Sequence, residues 1–246
     1  GVPGSWLTGA FGNTGDGHQM GLAVGAAEDE FPHAIMLDPE QLMPYLRVNK
    51  LGERFTPEYE PYGHLALAIQ AQPGTYDFYV VDSAIGEKID KIWTPSSSCY
   101  GPKEVWTAAA MSEKALKADT LEELAKLMEV PEAQFVATIE RWNEMAAAGK
   151  DEDFNFPGEM MMTIDTPPYY ATKEFADGLC TAGGLLVDTE CRVLDKDRQP
   201  IDGLFAIGLT SGGMFFNTYP HNLNCLSHTR NCLMGYTVGQ VLGDKA

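Results

Sequence analysis

The chain has 246 residues, 44% of them hydrophobic and 21% charged. That is enough to bury a core in one large or two small domains, and it is too apolar for a disordered chain. Acidic residues outnumber basic ones 35 to 17, a net charge of −18, which repels phosphate backbones and anionic lipid and argues against nucleic acid or a membrane surface as partner.

In chain order, "GVPGSWLTGAFGNTGDGHQMGLAVGAA" is Gly-rich and then helical, with Asp16 as the expected cap of a helix to about Ala27. "YLRVNKLGERFTPE" reads as a strand, a turn at Leu51-Gly52 and a short second strand. "HLALAIQAQ" is a short apolar helix that stops before Pro73-Gly74, and "TYDFYVVD" is a buried strand. Thr120 caps "LEELAKLM", with Glu123 at the capping-box position. Pro131 opens the helix "EAQFVATIERWNEMAAAG" and Gly149 stops it.

"KDEDFNFPGEM" is expected to be a solvated link. "GGLLVDTECRVLD" and "QPIDGLFAIG" read as a hairpin followed by a buried strand from Leu204 to Gly208. "NLNCLSHTRNCLMGYTVGQVLG" closes as a helix whose core side would carry Leu226, Cys232, Leu233, Tyr236, Val238 and Leu242. A Gly-rich αβ piece, a mixed insert and a closing strand–helix piece imply one domain interrupted by another.

The five cysteines, Cys99, Cys180, Cys191, Cys225 and Cys232, are odd in number and lack CxxC spacing. They imply buried free thiols in a reducing compartment, and neither a disulfide framework nor a zinc site. His18, His33 and His64 lie far apart, so they are expected to be structural and no metal site is predicted. No apolar run approaches the roughly 18 residues of a membrane span, and no signal-peptide pattern opens the sequence.

Several stretches resemble, in order, the FAD-dependent fumarate-reductase-like flavoproteins of the FAD-binding-2 superfamily. "NTGDGHQMGLAVGAA" resembles their TGDG-plus-helix segment, "VNKLGERF" their capping-domain hairpin, and "ADTLEELAKLMEVPEAQFVATIERWNE" their capping-domain helix pair. "TPPYYA", "TAGGLLVDTECRVLD" and "PIDGLFAIG" resemble the return to the FAD domain, and "MGYTVGQVLG" the last helix. The resemblance implies an α/β plus α+β architecture, an incomplete Rossmann-like FAD-binding domain interrupted by an α+β capping domain. Residues 1–35 and 166–246 would be the second half of the FAD-binding domain and 36–165 the cap. The GxGxxG half and its acidic ribose partner have no counterpart in these 246 residues.

It further implies FAD as cofactor and hydride transfer to an activated C=C bond. Thr14, Gly15, Asp16, Gly17, Gly208, Asn224, Ser227 and His228 would be the cofactor-binding residues. Tight Gly backbone suits the ribityl and pyrophosphate, and a helix N-terminus at Ser227 and His228 would stabilise negative charge on reduced flavin. The catalytic candidates are Tyr62, Tyr219 and His221. A gapless alignment places Tyr62 where fumarate reductases carry their proton-donating arginine, and Tyr219 and His221 would face substrate. Cys180 stands where the family has a histidine, and is expected to be a small buried hydrophobe. Leu209 stands in place of a glutamate, and "NTYPHNLN" replaces the arginine of "NRLGGN".

Without these cationic clamps the site does not suit fumarate, whose two carboxylates require them. An enone or enoate other than fumarate is the expected substrate, reduced with electrons from a separate heme or flavin partner protein, since no CxxCH occurs. Dehydrogenation of a steroid-like substrate and a non-catalytic remnant are the alternatives. Arg230, one turn further along, is expected to form a surface salt bridge, with restoring a positive charge near the flavin as the alternative.

Overall fold

The computed structural model describes residues 14–30, 35–39, 43–60, 62–92, 102–215, 223 and 225–243, with backbone alone at 35–39, 62 and 177–181. The chain is a mixed helix and sheet protein that divides into two compact units. Unit 1 comprises Gly1–Trp6 and Pro39–Asp177; unit 2 comprises Leu7–Asp38 and Gly178–Ala246.

Unit 1 is built on an antiparallel sheet. Strand β3 (Tyr76–Asp82) pairs with β2 (Leu46–Val48), Val48 facing Phe78, and on its other edge with β5 (Tyr169–Thr181), Val80 facing Ala171. The far edge of β5 takes β4 (Leu116–Ala118) at Tyr169–Ala171. Strand β1 (Ile35–Pro39), which belongs to unit 2 up to Asp38, also pairs with β5, whose residues from Gly178 belong to unit 2. Because side chains alternate along a strand, the apolar run of β3 fills two cores at once. Phe78 and Val80 join Leu124, Phe135, Ile139 and Trp142; Tyr79 and Val81 join Tyr45, Ile85 and Ile89.

Among the described residues five helices accompany the sheet: α2 (Tyr62–Gln70), α3 (Ile85–Lys88), α4 (Lys103–Ala110), α5 (Leu121–Met128) and α6 (Glu132–Ala148). The capping expected of α5 is present, Thr120 Oγ1 accepting from the Glu123 N–H at 3.2 Å. Helix α6 starts after Pro131 and ends at Gly149 with φ 65°. Its indole at Trp142 is fully buried and donates to the Met162 carbonyl at 2.6 Å.

Two expectations for unit 1 change. The second strand of the 45–58 hairpin is a single bridge, Val48 to Arg54, because Arg54 turns into an ion network. The 150–160 stretch is not a solvated link: Asp151 and Phe156 are buried. Asp151 accepts from the Phe156 and Asp153 N–H groups at 2.9 and 3.0 Å and from two Arg54 nitrogens at 2.8 Å each. Arg54 also forks onto Glu58 at 2.8 and 2.6 Å, with its guanidinium 4.8 Å from the Trp142 ring. A second buried cation, Arg47, bonds Asp77 at 2.8 Å and also Glu174.

Unit 2 holds α1 (Asp16–Ala23), the hairpin β6 (Arg192–Leu194) and β7 (Pro200–Phe205), a 3₁₀ turn Gly208–Thr210, and α7 (Leu226–Gly243). Its core is small: Ala26, Leu185, Val193 and Ala206. Backbone bonds from Ala27 N to Leu194 O (2.8 Å), Leu186 N to Ala27 O (2.9 Å) and Asp29 N to Gly184 O (2.9 Å) tie the segment after α1 to the hairpin region.

Four expectations for unit 2 are corrected. Helix α1 ends at Ala23, because Gly25 takes φ 92° and Ala26 turns into a bridge with Asp195. The 204–208 stretch is the half-exposed end of β7 running into the 3₁₀ turn, since the left-handed Gly208 (φ 65°) breaks the extension. Helix α7 has no buried side chain: Leu233, Tyr236 and Leu242 are exposed. Among the described thiols Cys191 is buried, but Cys225 and Cys232 are exposed.

Candidate functional site

Three segments of unit 2 carry the expected cofactor residues, and contacts link them in sequence: α1 to the 208–213 turn, and that turn to α7. Helix α1 does not start on an Asp16 cap. Gly15 is the N-cap, left-handed at φ 78° and ψ 22°, a conformation a side chain would strain. Asp16 is the first helical residue, its carboxylate accepting the Thr14 hydroxyl at 2.7 Å. The first helical bond runs from Gln19 N to Gly15 O at 3.0 Å, so the amides of residues 16–18 precede the ladder.

Gly17 faces the turn so closely that a Cβ there would stand 2.9 Å from Thr210 Cγ2. His18 has a structural place: one ring nitrogen is 3.3 Å from Glu28 Oε1, the other 3.3 Å from the Leu209 carbonyl. Gly208, at the far end of that turn, faces Asn231 of α7. The Asn231 Oδ1 atom is buried with no hydrogen-bond partner among the described residues.

In α7 the first i to i−4 bond runs from Thr229 N to Cys225 O at 2.8 Å, so Ser227 and His228 stand in the turn ahead of the ladder. Ser227 is half-buried and His228 exposed. Arg230 lies one turn on, and among the described residues its partners are not surface carboxylates. Its guanidinium donates to the carbonyls of Gly208 (3.0 Å), Ser211 (3.1 Å) and Gly212 (2.8 Å) and to the Ser211 hydroxyl (2.9 Å). Burial pushes the guanidinium below its usual pKa, with Asp29 and Cys191 opposing through space. An arginine so placed still keeps its charge.

Two residues of this arrangement were not singled out from sequence. Asp29 accepts from the N–H of Gly213 at 3.0 and 2.9 Å and of Gly184 at 3.3 Å. Ser211 is buried and donates to the Gly208 carbonyl at 2.8 Å. The partners of Asp29 are backbone groups distant in sequence, which no spacing reveals.

Thr14 and Gly15 precede α1, Asp16 and Gly17 open it, Gly208 lies on the turn, and Ser227 and His228 lie in the first turn of α7, all within unit 2; of these, Gly17 meets the turn at Thr210 and Gly208 meets α7 at Asn231. Tyr62 opens α2 in unit 1, and its side chain lies outside the described residues, as does that of Cys180. Tyr219, His221, Asn224, His33 and Cys99 also lie outside them. His64 is exposed beside Glu60 at 3.5 Å.

The sequence has six arginines. Arg47 and Arg54 are buried against carboxylates, Arg141 pairs with Asp153 and Arg192 with Asp188, and Arg230 is taken up by carbonyls. Arg198 sits at the exposed tip of the β6–β7 hairpin.

A sequence profile of the family described as "FAD binding domain" (FAD_binding_2) matches residues 2–226. The chain is 32% identical to a probable fumarate reductase of Shewanella frigidimarina, over 81% of this chain and 30% of that protein. It is 28% identical to a vinyl phenol reductase of Lactiplantibacillus plantarum, over 73% of this chain and 39% of that one. Among solved structures, a 3-ketosteroid Δ1-dehydrogenase from Sterolibacterium denitrificans, crystallised with 1,4-androstadiene-3,17-dione, superposes with TM-score 0.78 at 25% identity. That match covers 98% of this chain and 49% of the dehydrogenase. The chain thus spans less than half the length of each of these relatives.

Proposed function

The chain belongs to the FAD binding domain family, and from that premise we propose that it forms part of an FAD-dependent reductase. The enzyme would transfer hydride to the activated C=C bond of an enone or enoate other than fumarate. Unit 2 would supply the second half of the FAD-binding domain and unit 1 the cap over the substrate. The observation that carries the choice of substrate is the fate of the arginines: none of the five held in contacts is left for a substrate carboxylate, and Arg198 sits at a hairpin tip. A dicarboxylate needs such forks; a less charged alkene does not.

The residues present suit part of the cofactor. Gly15 leaves open space where a side chain would stand, the first amides of α1 precede its ladder, and Asn231 Oδ1 offers an unfilled acceptor beside Gly208. FAD, when bound, supplies the hydride chemistry. Gly15, Asp16 and Gly17 with Thr14 would line the ribityl and pyrophosphate side. Gly208, Asn224, Ser227 and His228 would line the flavin side, with the positive end of α7 favouring negative charge there. Tyr62 would hold the phenolic proton delivered to the alkene carbon, and Tyr219 and His221 would orient the substrate. Electrons would come from a separate heme or flavin protein.

A second reading is favoured by the dehydrogenase superposition over 98% of the chain: desaturation of a steroid-like ketone, in which a tyrosine also serves. The first test is the visible spectrum of the purified chain with added FAD, followed by an alkene screen with Tyr62→Phe as control. A bound-flavin spectrum and turnover abolished by Tyr62→Phe, with flavin retained, are expected; unchanged turnover would remove Tyr62 from the mechanism. Turnover with an artificial electron donor supports the reductase, and turnover only with an artificial acceptor supports the dehydrogenase. No flavin and no turnover, even beside the remainder of a relative-length FAD domain, would identify a non-catalytic remnant.

A further inference from the structure

We infer that Arg230 is a positioning residue, fastening the start of α7 to the Gly208–Gly213 turn and so fixing where Ser227 and His228 stand. The inference rests on the FAD reading above and deepens it. The turn is gripped from two sides by opposite charges. Asp29 takes the amides that flank it, Gly213 N at 2.9 Å and Gly184 N at 3.3 Å. Arg230 takes its carbonyls, Gly208 O, Ser211 O and Gly212 O, and the Ser211 hydroxyl at 2.8–3.1 Å.

The grip is close: a Cβ at Gly212 would fall 2.0 Å from Asp29 Oδ2 and 2.6 Å from the Gly184 carbonyl. Arginine suits the task because its rigid fork reaches several acceptors at once, which a lysine's point charge cannot. Apolar packing of α7 is partial, with Leu226, Met234, Val238 and Val241 half-buried and no side chain fully buried. The polar clamp adds a directed fastening at the start of the helix, and the family's cofactor would meet the turn that the clamp holds.

The test uses the full 246-residue chain with Arg230→Met and Arg230→Lys. Hydrogen–deuterium exchange without FAD reads the clamp. FAD affinity by fluorescence quenching reads its consequence, and a melting curve of the flavin-free protein records the folded fraction. Arg230→Met is expected to speed exchange in residues 208–213 and 226–229, leave the 192–205 hairpin unchanged, and weaken FAD binding about tenfold. Arg230→Lys, which keeps the charge but loses the fork, falls between. Unchanged exchange at those segments overturns the inference. So does faster exchange with FAD affinity equal to wild type, which would leave Arg230 a merely structural residue. A wild-type chain that takes up no FAD even beside the remainder of the FAD domain overturns the flavin reading and this inference with it; a wild type that binds, beside an Arg230→Met that binds equally, overturns the inference alone.

Discussion

Helix α6 in unit 1 has 17 residues and buries Phe135, Ile139, Trp142 and Met145; helix α7 in unit 2 has 18 and buries none. The difference lies in where the apolar positions fall. Those of α6 repeat at the spacing of one face, and α5 and the sheet meet that face. In α7 the apolar residues Leu233, Met234, Tyr236, Val238, Val241 and Leu242 run round the helix, a pattern suited to burial within a larger body. Unit 1 closes its two cores with its own residues. The core cluster of unit 2 among the described residues is Ala26, Leu185, Val193 and Ala206, beside a helix with exposed apolar side chains, in a chain that spans less than half of each relative described above.

The sharpest way to break this contrast is to remove a charge from unit 1. Arg54→Met strips the partner from Glu58 and Asp151, both buried. Leaving buried carboxylates unpaired costs about 3–5 kcal/mol, so the urea midpoint followed by tryptophan fluorescence should fall steeply. A midpoint near wild type would mean that unit 1 tolerates uncompensated buried charge. Next in size is Ile139→Ala, at a fully buried position beneath α5, expected to cost about 2–5 kcal/mol in the same measurement.

A pH series separates the charges of unit 1. Burial alone would raise Asp151, but the bonds from Arg54 and from the Phe156 and Asp153 N–H groups outweigh it and hold this carboxyl well below its usual range. Arg141 lowers Asp153, and Lys88 lowers Asp165. A depressed carboxyl adds stability that is fully present above the unfolded value near ~3.9 and lost as pH falls through the folded values. Glu58 and Asp77, raised by burial against the pull of their arginines, work oppositely, their contribution being lost as pH rises through their folded values. Unit 1 should therefore lose stability as pH drops below about 4, and Asp151→Asn should flatten that loss. A slope unchanged by Asp151→Asn would assign the acid sensitivity elsewhere. Smaller again is Thr120→Ala, which removes the cap of α5 and should lower stability by about 1 kcal/mol.

The same contrast governs what the sequence revealed. Locally encoded features were legible: the cap at Thr120, the stop at Gly149 and the buried run of β3 each follow from neighbours in the chain. Features made by distant partners were not. Nothing near Asp151 announces Arg54, and nothing near Arg230 announces the carbonyls of 208–212. Strand β4, with three residues, is a strand only because β5 lies beside it. For α7 the failure was different. Helical spacing correctly gave a helix, but apolar residues were assigned a core that these 246 residues do not provide. Near the proposed site, the helices that start at Asp16 and Leu226 were readable as elements, whereas the clamp of Asp29, Ser211 and Arg230 was not.

The smallest expected effect is the most telling for unit 2. Leu233 is 62% exposed, so truncating it removes little buried area. Leu233→Ala should change the stability of the chain by no more than about 0.5 kcal/mol, against the several expected at Ile139 for a similar loss of side chain. Exchange protection across residues 226–243 would be the measurement, made at two protein concentrations. A large loss of protection at both would show that α7 packs its apolar side chains within the chain, and the contrast with α6 would fail. A loss confined to the higher concentration would mean that a second copy covers the helix, making its exposure a property of the monomer alone. No loss at either leaves α7 as the structure draws it: a helix fastened by its polar clamp, with Leu233, Tyr236 and Leu242 uncovered.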